Sequence, residues 1–418
     1  MTYFKPETRV NQSASYIKQI LDLGLEGAEK QDWLLVNSQL RSLPLGKTFG
    51  KSFSISENYW NTAFKLALAV LLQGDFQERW EVAKIFPLLG IKIVKPLIII
   101  LEDDRVEVEV RWFICRILGK FKDKEIIIAL IKLFQQTEAE LISIASQTLI
   151  EIGTAAIDAL AELLPQSEYR LLAVRSLACI RRPEIITPLI SIVDDPQAEI
   201  RTIVIEALGS FHHDRIPPLL IAALQDTAAS VRKEAAIALG FRQDLCIKLD
   251  IVTHLQSLLY DLDLEVCRQA AIALSRMKTQ SAVTALFKIL QSTNTPVNLK
   301  LDLVRALGWS ELELAIDYLK QTLVIASPPV SQEIIAVLGR ISSSQLKTQA
   351  TNILIDFWRS KTGQASPPQI KQTLALSLGQ LSNPEAKPYL EELAADDNRV
   401  VRLHAIAALK KLSANQRS

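Results

Sequence analysis

The stretch that decides the fold is Val231-Arg-Lys-Glu-Ala-Ala-Ile-Ala-Leu-Gly240. Val231, Ala235 and Leu239 stand four residues apart, a helical and not a strand period. The same sentence recurs as Val266-Cys-Arg-Gln-Ala-Ala-Ile-Ala-Leu-Ser275, 35 residues on, and as Ile200-Arg-Thr-Ile-Val-Ile-Glu-Ala-Leu-Gly209, 31 residues before. With the final position as a ruler, eleven copies end at Gly90, Gly119, Gly153, Ala178, Gly209, Gly240, Ser275, Gly308, Gly339, Gly379 and Lys410. A second apolar segment follows each stop, for example Ile251–Leu259, Ala282–Leu290, or Ile216-Pro-Pro-Leu-Leu-Ile-Ala-Ala-Leu224 with prolines in its first turn. Two helices in about 31 residues cannot bury both apolar faces alone, but stacked copies can. The glycine closing each copy suits the left-handed residue that stops a helix.

A second regularity runs through the copies. Arg111, Arg170, Arg201, Arg232, Lys300, Lys371 and Arg402 each stand eight residues before the ruler. Asp195, Asp226, Asp396 and Asn294 stand six residues before four of these cations, and Asp261 stands likewise before Cys267. These acidic or amide groups lie in the turn ahead of the helix and can cap its N-terminus. Hydrogen bonds from each cation to the Asp of a neighbouring copy would tie the stack together, so the row is expected to be structural and not catalytic. Val82, Ala145, Cys267 and Ser331 depart from the basic position.

The pattern D-x(5)-R-x-x-A-x-x-A-L-G at this period resembles the short HEAT variety found in phycobilisome lyases. The resemblance covers roughly Gly74 to Leu412, and Gly74–Gly90 with Val110-Arg-Trp-Phe113 is similar to a cyanobacterial HEAT-repeat group. It implies an all-α chain, a right-handed α–α superhelix of the HEAT/armadillo type. It also implies a bilin lyase, or a lyase subunit acting on phycobiliproteins, as an alternative to a non-catalytic scaffold. Residues 76–418 would form the array and 1–75, which break the period, a helical capping segment. Within it, Ser15–Lys30, Trp33–Leu43 and Asn58–Leu72 read as helices and Arg41–Ser56 as a loop.

Composition agrees with this reading. A chain of 418 residues exceeds what one compact core usually holds, and 49% apolar residues are ample for burial. Lys plus Arg is 47 against 46 Asp plus Glu, which gives no global reason to expect nucleic acid as a partner. Cys115, Cys179, Cys246 and Cys267 are widely scattered without C-x-x-C spacing, as in a reducing compartment. Met1–Arg9 lacks a signal-peptide core, and the apolar runs Ala63–Leu72 and Ile91–Leu101 are too short to span a bilayer. A cytoplasmic protein with no transmembrane segment is the expectation.

Chemistry finds little support. Deoxyhypusine hydroxylase, which shares such repeats, binds two irons through His-Glu pairs. Here His212, His213, His254 and His404 are never followed by Glu. Gly46-Lys-Thr-Phe-Gly-Lys-Ser52 lacks the leading Gly and the preceding strand of a phosphate loop, and Cys246 with His254 lacks an orienting third group. No catalytic residue, cofactor or metal is expected.

Positions seven and three before the ruler should point away from the core and form one stripe along the ruler-bearing helices. It pairs Trp112 with Arg116, Leu171 with Arg175, Thr202 with Glu206, Lys233 with Ile237, Arg268 with Ile272 and Leu301 with Arg305. Arginine beside exposed Trp and Ile suits a protein interface. Trp112, Arg116, Arg175, Lys233, Arg268 and Arg305 are therefore the candidate contacts on a concave face, toward another protein with an acidic surface such as a phycobiliprotein.

Overall fold

The computed structural model describes residues 6–45, 57–360 and 365–415, and among them every regular element is a helix. The Gly46–Ser52 motif and most of the Arg41–Ser56 loop lie outside the described residues. The chain divides into two compact units, Met1–Ile192 and Val193–Ser418.

The first unit opens with α1 (Pro6–Glu29), α2 (Trp33–Ser42) and α3 (Glu57–Gln73), which pack on one another. Helix pairs follow: α4 (Phe76–Ala83) and α5 (Val94–Leu101), α6 (Val108–Leu118) and α7 (Lys124–Lys132), α8 (Ala139–Ile152) and α9 (Ile157–Ala161), then α10 (Ser167–Ile180) and α11 (Ile186–Ile190). Helix α4 is held by a capping box, with Asp75 accepting from the Glu78 amide and Glu78 from the Asp75 amide. The Ile-rich run up to Leu101 is helical, as Pro96 in its first turns allows. One stretch, Ala139–Ala161, is long and apolar enough to cross a bilayer. It breaks at Gly153 (φ 75°), and Leu141, Ile144, Leu149 and Leu160 are buried within the unit.

The second unit contains α12 (Ala198–Gly209), α13 (Ile216–Ala223), α14 (Ala229–Leu239), α15 (Ile251–Ser257), α16 (Leu264–Met277), α17 (Gln280–Gln291) and α18 (Val297–Ser310). It continues with α19 (Glu313–Leu323), α20 (Pro328–Gly339), α21 (Ser344–Arg359), α22 (Pro368–Leu381), α23 (Lys387–Ala394) and α24 (Arg399–Asn415). The ruler-bearing helices α12, α14, α16, α18, α20, α22 and α24 pack on each other in sequence, more closely than the intervening helices do. Val231, Ala235 and Leu239 are at most 1% exposed, so the period read from sequence is the core face.

The closing glycines have a different role from the one expected. Only Gly90 (φ 81°) and Gly153 (φ 75°) are left-handed. Gly209, Gly240, Gly308, Gly339 and Gly379 instead lie where the next ruler helix presses closest. A Cβ on Gly209 would meet Ala238 Cβ at 2.6 Å, and one on Gly339 would meet Ser377 Cβ at 2.5 Å and its Cα at 2.7 Å. The left-handed stop falls three residues later, on Arg181, Lys278, Glu311 and Ser382 after α10, α16, α18 and α22.

Rungs between copies are present at Arg201, Arg232 and Lys371, and their geometry is specific, whereas Arg111 binds the Leu101 carbonyl and Asp104 ahead of its own helix. Arg232 donates through Nε and Nη2 to both Asp261 carboxylate oxygens at 2.7 Å, and through Nη1 to the carbonyls of Asp226 (2.8 Å) and Thr227 (3.1 Å). Arg201 does the same toward Asp226, Asp195 and Pro196. Lys371 makes a single bond of 2.8 Å to Asp396. At the degenerate positions, Cys267 Sγ and Ser331 Oγ keep only a bond to a carbonyl of their own turn. Where Val82 replaces the cation, Arg79 one turn earlier binds Glu107 and Glu109, both at 2.9 Å. The ladder aspartates do not cap their helices as expected. Asp195, Asp226 and Asp261 accept from the amide two residues on, and the N-cap positions are Gln197, Ala228 and Asp263. They hold the turn, and in Asp226 and Asp261 it presents both carboxylate oxygens to the neighbouring arginine.

Candidate partner-binding face

Helix α6 in the first unit buries Val110, Phe113, Ile114 and Cys115, which leaves Trp112 and Arg116 half-exposed one turn apart. The Arg116 guanidinium lies 4.7 Å from the ring centre of Trp80 and 5.0 Å from that of Trp112, between the two indoles. Phe76 stacks 6.1 Å from Trp80 and is 54% exposed. Such stacking holds an arginine with its charge still accessible, and the aromatic rings offer large contact area at low entropic cost. Further along the same unit, Arg175 on α10 is exposed beside half-exposed Leu171.

The second unit repeats the stripe but neutralises it. Lys233 pairs with Glu234 at 3.1 Å. Arg268 reaches Glu265 at 3.0 Å and Asp302 at 4.0 Å, and Arg305 reaches Glu333 at 2.9 Å and Asp302 at 3.0 Å. Glu234, Asp302 and Glu333 all stand six residues before their ruler, one place along the helix from the basic stripe. The stripe carries a basic residue in five of the six copies read, and in the second unit these cations stand in a row of ion pairs. Residues seven and six before the ruler are neighbours around the helix, so the second row shares the surface with the first. Thr202 and Ser230 hydroxyls, 2.8 Å apart, continue it.

Apolar surface is interleaved with these charges. A groove of about 330 Å³ runs beside α12 and α14, lined by Glu206, His212, Glu234, Ile237 and Phe241. Phe241 is 61% exposed with the Arg276 guanidinium 4.2 Å from its ring centre, and Trp309 is 54% exposed. Neither belongs to the stripe: each stands one residue beyond a ruler glycine.

Chemical groups are not brought together. Among the described residues no cluster of three or more His, Cys, Asp or Glu could hold a metal ion. Cys115 is fully buried, and desolvation pushes its thiol up to about 12. Burial likewise raises Cys246 and Cys267.

The repeat geometry has a direct counterpart in sequence families. The family model of HEAT repeats matches residues 94–178, 165–240, 186–261, 216–299 and 355–417, more than half of the chain. This chain belongs to the HEAT repeat family. No curated protein matches it in sequence. Among solved structures it is similar to Kap95p as bound to RanGDP, at 11% identity over 96% of this chain and 66% of that one, with a TM-score of 0.52. It is similar also to importin beta, at 12% identity over 95% of this chain and 60% of that one, with a TM-score of 0.50. Human deoxyhypusine hydroxylase aligns at 23% identity over 65% of this chain and 99% of its own, with a TM-score of 0.28. The first two likenesses show a HEAT solenoid fold and nothing finer. Solenoids of this kind present the faces of stacked helices as extended binding surfaces, which supports a protein partner in general.

Proposed function

We propose that this HEAT protein is a scaffold or assembly factor in which the exposed face of the ruler-bearing helices holds a partner protein. The observation that carries this is the Trp80–Arg116–Trp112 stack with exposed Phe76 beside it. A rigid aromatic cluster with an ordered arginine is the composition of an interface hot spot. In each unit the stripe supplies further contacts of its own: Arg175 in the first, and Lys233, Arg268 and Arg305 in the second. An acidic patch on the partner would compete with Glu234, Glu265, Asp302 and Glu333 for the last three cations. Recognition there would exchange ion pairs instead of neutralising free charge. Residues 1–75 serve as the cap of the array in this reading.

The test is affinity capture with tagged full-length chain, wild type against Trp112→Ala. Loss of a hot-spot tryptophan weakens binding by roughly 2 kcal/mol or more, about thirtyfold, and should remove the specific partner from the eluate. Retention of that partner at equal yield would remove the aromatic anchor from the account.

The likeness of the repeat to phycobilisome lyases carries a second reading, attachment or removal of a bilin on phycobiliprotein cysteines. Mixing the purified chain with phycocyanobilin decides it. A shifted visible absorption spectrum supports the lyase reading, and an unchanged one supports the scaffold.

A further inference from the structure

In each ruler helix the residues at the ruler, four before it and eight before it lie on one face, and that face meets the next copy. In α14 these are Gly240, on which a Cβ would stand 3.0 Å from Ala273 Cβ, Ala236, which is fully buried, and Arg232, which binds Asp261. The middle position is covered throughout the second unit: Ile205, Ala236, Ala271, Val304, Ile335 and Ala375 are at most 1% exposed. On α24 the same row reads Arg402, Ile406, Lys410, and Ile406 is 41% exposed.

The cation of this row is already set for a ligand. Arg402 Nη1 is held by the carbonyls of Asp396 (2.8 Å) and Asp397 (2.9 Å), as Arg232 Nη1 is held by Asp226 and Thr227. In Arg201 and Arg232 the Nε and Nη2 edge takes an aspartate bidentately. Among the described residues nothing occupies that edge of Arg402. Lys410 stands at the ruler position, where five of the six preceding ruler helices of this unit carry glycine. Leu403 (56%) and Leu376 (48%) add exposed apolar surface on α24 and α22.

We propose that the row Arg402–Ile406–Lys410 is a docking site for an amphipathic, acidic helix of a partner protein, with a carboxylate ahead of its first turn that takes the open edge of Arg402. The charge complementarity is specific. A bidentate carboxylate fits Arg402, an apolar stripe covers Ile406, and a second carboxylate meets Lys410 one turn further on. The row spans eight residues, about 12 Å, a little over two turns of such a helix. The inference rests on the reading of this chain as a protein-binding scaffold and names one partner chemistry for it.

The probe is a fluorescein-labelled synthetic helix with a leucine stripe, glutamates elsewhere and an aspartate ahead of its first turn, titrated with full-length protein by anisotropy. Saturable binding is expected, weakened roughly tenfold by Ile406→Glu and severalfold by Arg402→Gln. It should be unchanged in a variant reversed at Arg175, Lys233 and Arg268, so failure here and failure of the stripe are separable. Lys410→Glu, at an exposed position, supplies a further variant should Ile406→Glu alter the helical spectrum. No binding, equal binding of a scrambled peptide of the same composition, or an unchanged Kd in these variants would overturn the proposal. Self-association abolished by Ile406→Glu in sedimentation would also overturn it, in favour of a second copy as occupant.

Discussion

Replacing Gly339 with Ala separates the two roles a helix-closing glycine can have. Gly339 ends α20 in right-handed conformation, so alanine suffers no backbone strain there, and in a helix it is favoured over glycine by about 1 kcal/mol. Helix propensity alone therefore predicts stabilisation. Packing predicts the reverse. The new Cβ would stand 2.5 Å from Ser377 Cβ and 2.7 Å from Ser377 Cα, atoms that no change of rotamer can move. Reaching ordinary contact at 3.4 Å opens the α20–α22 pair by roughly 0.9 Å. A gap of that size forfeits about a quarter to a half of each dispersion contact along the seam. Overpacking of this kind costs about 1–3 kcal/mol, more where backbone must shift, leaving a net loss of up to about 2 kcal/mol after the propensity gain. Urea unfolding followed by circular dichroism at 222 nm measures it, and Ser377→Gly in the same chain should restore part of the loss because it removes two of the three clashing atoms, Cβ and Oγ. A Gly339→Ala protein more stable than wild type would refute the close-approach role.

The ladder and the thiols give further outcomes. Arg232→Ala removes four hydrogen bonds and strands Asp261, whose side chain is only 6% exposed, so stability should fall by about 2–4 kcal/mol, whereas Arg232→Lys, which imitates the single bond of Lys371, should cost about half as much. Asp226 and Asp261 are held below the usual carboxylate range by hydrogen bonds from Arg201 and Arg232, against the opposing effect of burial. Their contribution is therefore fully present above the unfolded pKa of roughly 3.9 and is lost as pH falls through the lower folded values; the stability gap between wild type and Arg232→Ala should narrow on acidification, and a gap constant with pH would contradict the rung. A thiol reagent at neutral pH should label exposed Cys179 at once and Cys115 only on unfolding, with labelled peptides identified by mass spectrometry.

The fold was readable because a repeat states its rule many times: Val231, Ala235 and Leu239 specify one core face, and the copies confirm it. The rungs were readable for the same reason, since Arg232 and Asp261 recur at fixed offsets. The glycines were misread because a sequence shows that a side chain is missing but not whether backbone freedom or a neighbour's Cβ requires it; Gly153 needs the first and Gly339 the second. The expected stripe surfaced in each unit, with Lys233, Ile237 and Arg305 half-exposed and Arg268 exposed. Its charge was overestimated because two positions per copy were read while Glu234, Asp302 and Glu333, one residue along, were left out. The Trp80–Arg116–Trp112 stack was half visible: Trp112 and Arg116 share a helix, but Trp80 comes from the preceding pair, and only packing joins them.

The central claim, that the exposed face of the ruler-bearing helices holds a partner protein, is tested most directly by calorimetric titration of the captured partner against wild type and against a variant carrying Arg175→Glu, Lys233→Glu and Arg268→Glu. The helical spectrum of the variant serves as the control for folding. A single exposed pair is worth roughly 0–1 kcal/mol, so three reversals should together weaken binding at least tenfold. The wild-type Kd should depend only shallowly on salt, because Lys233 and Arg268 enter already paired. An affinity unchanged by the three reversals would show that the stripe is a solvated face and that the partner, if held at all, is held elsewhere.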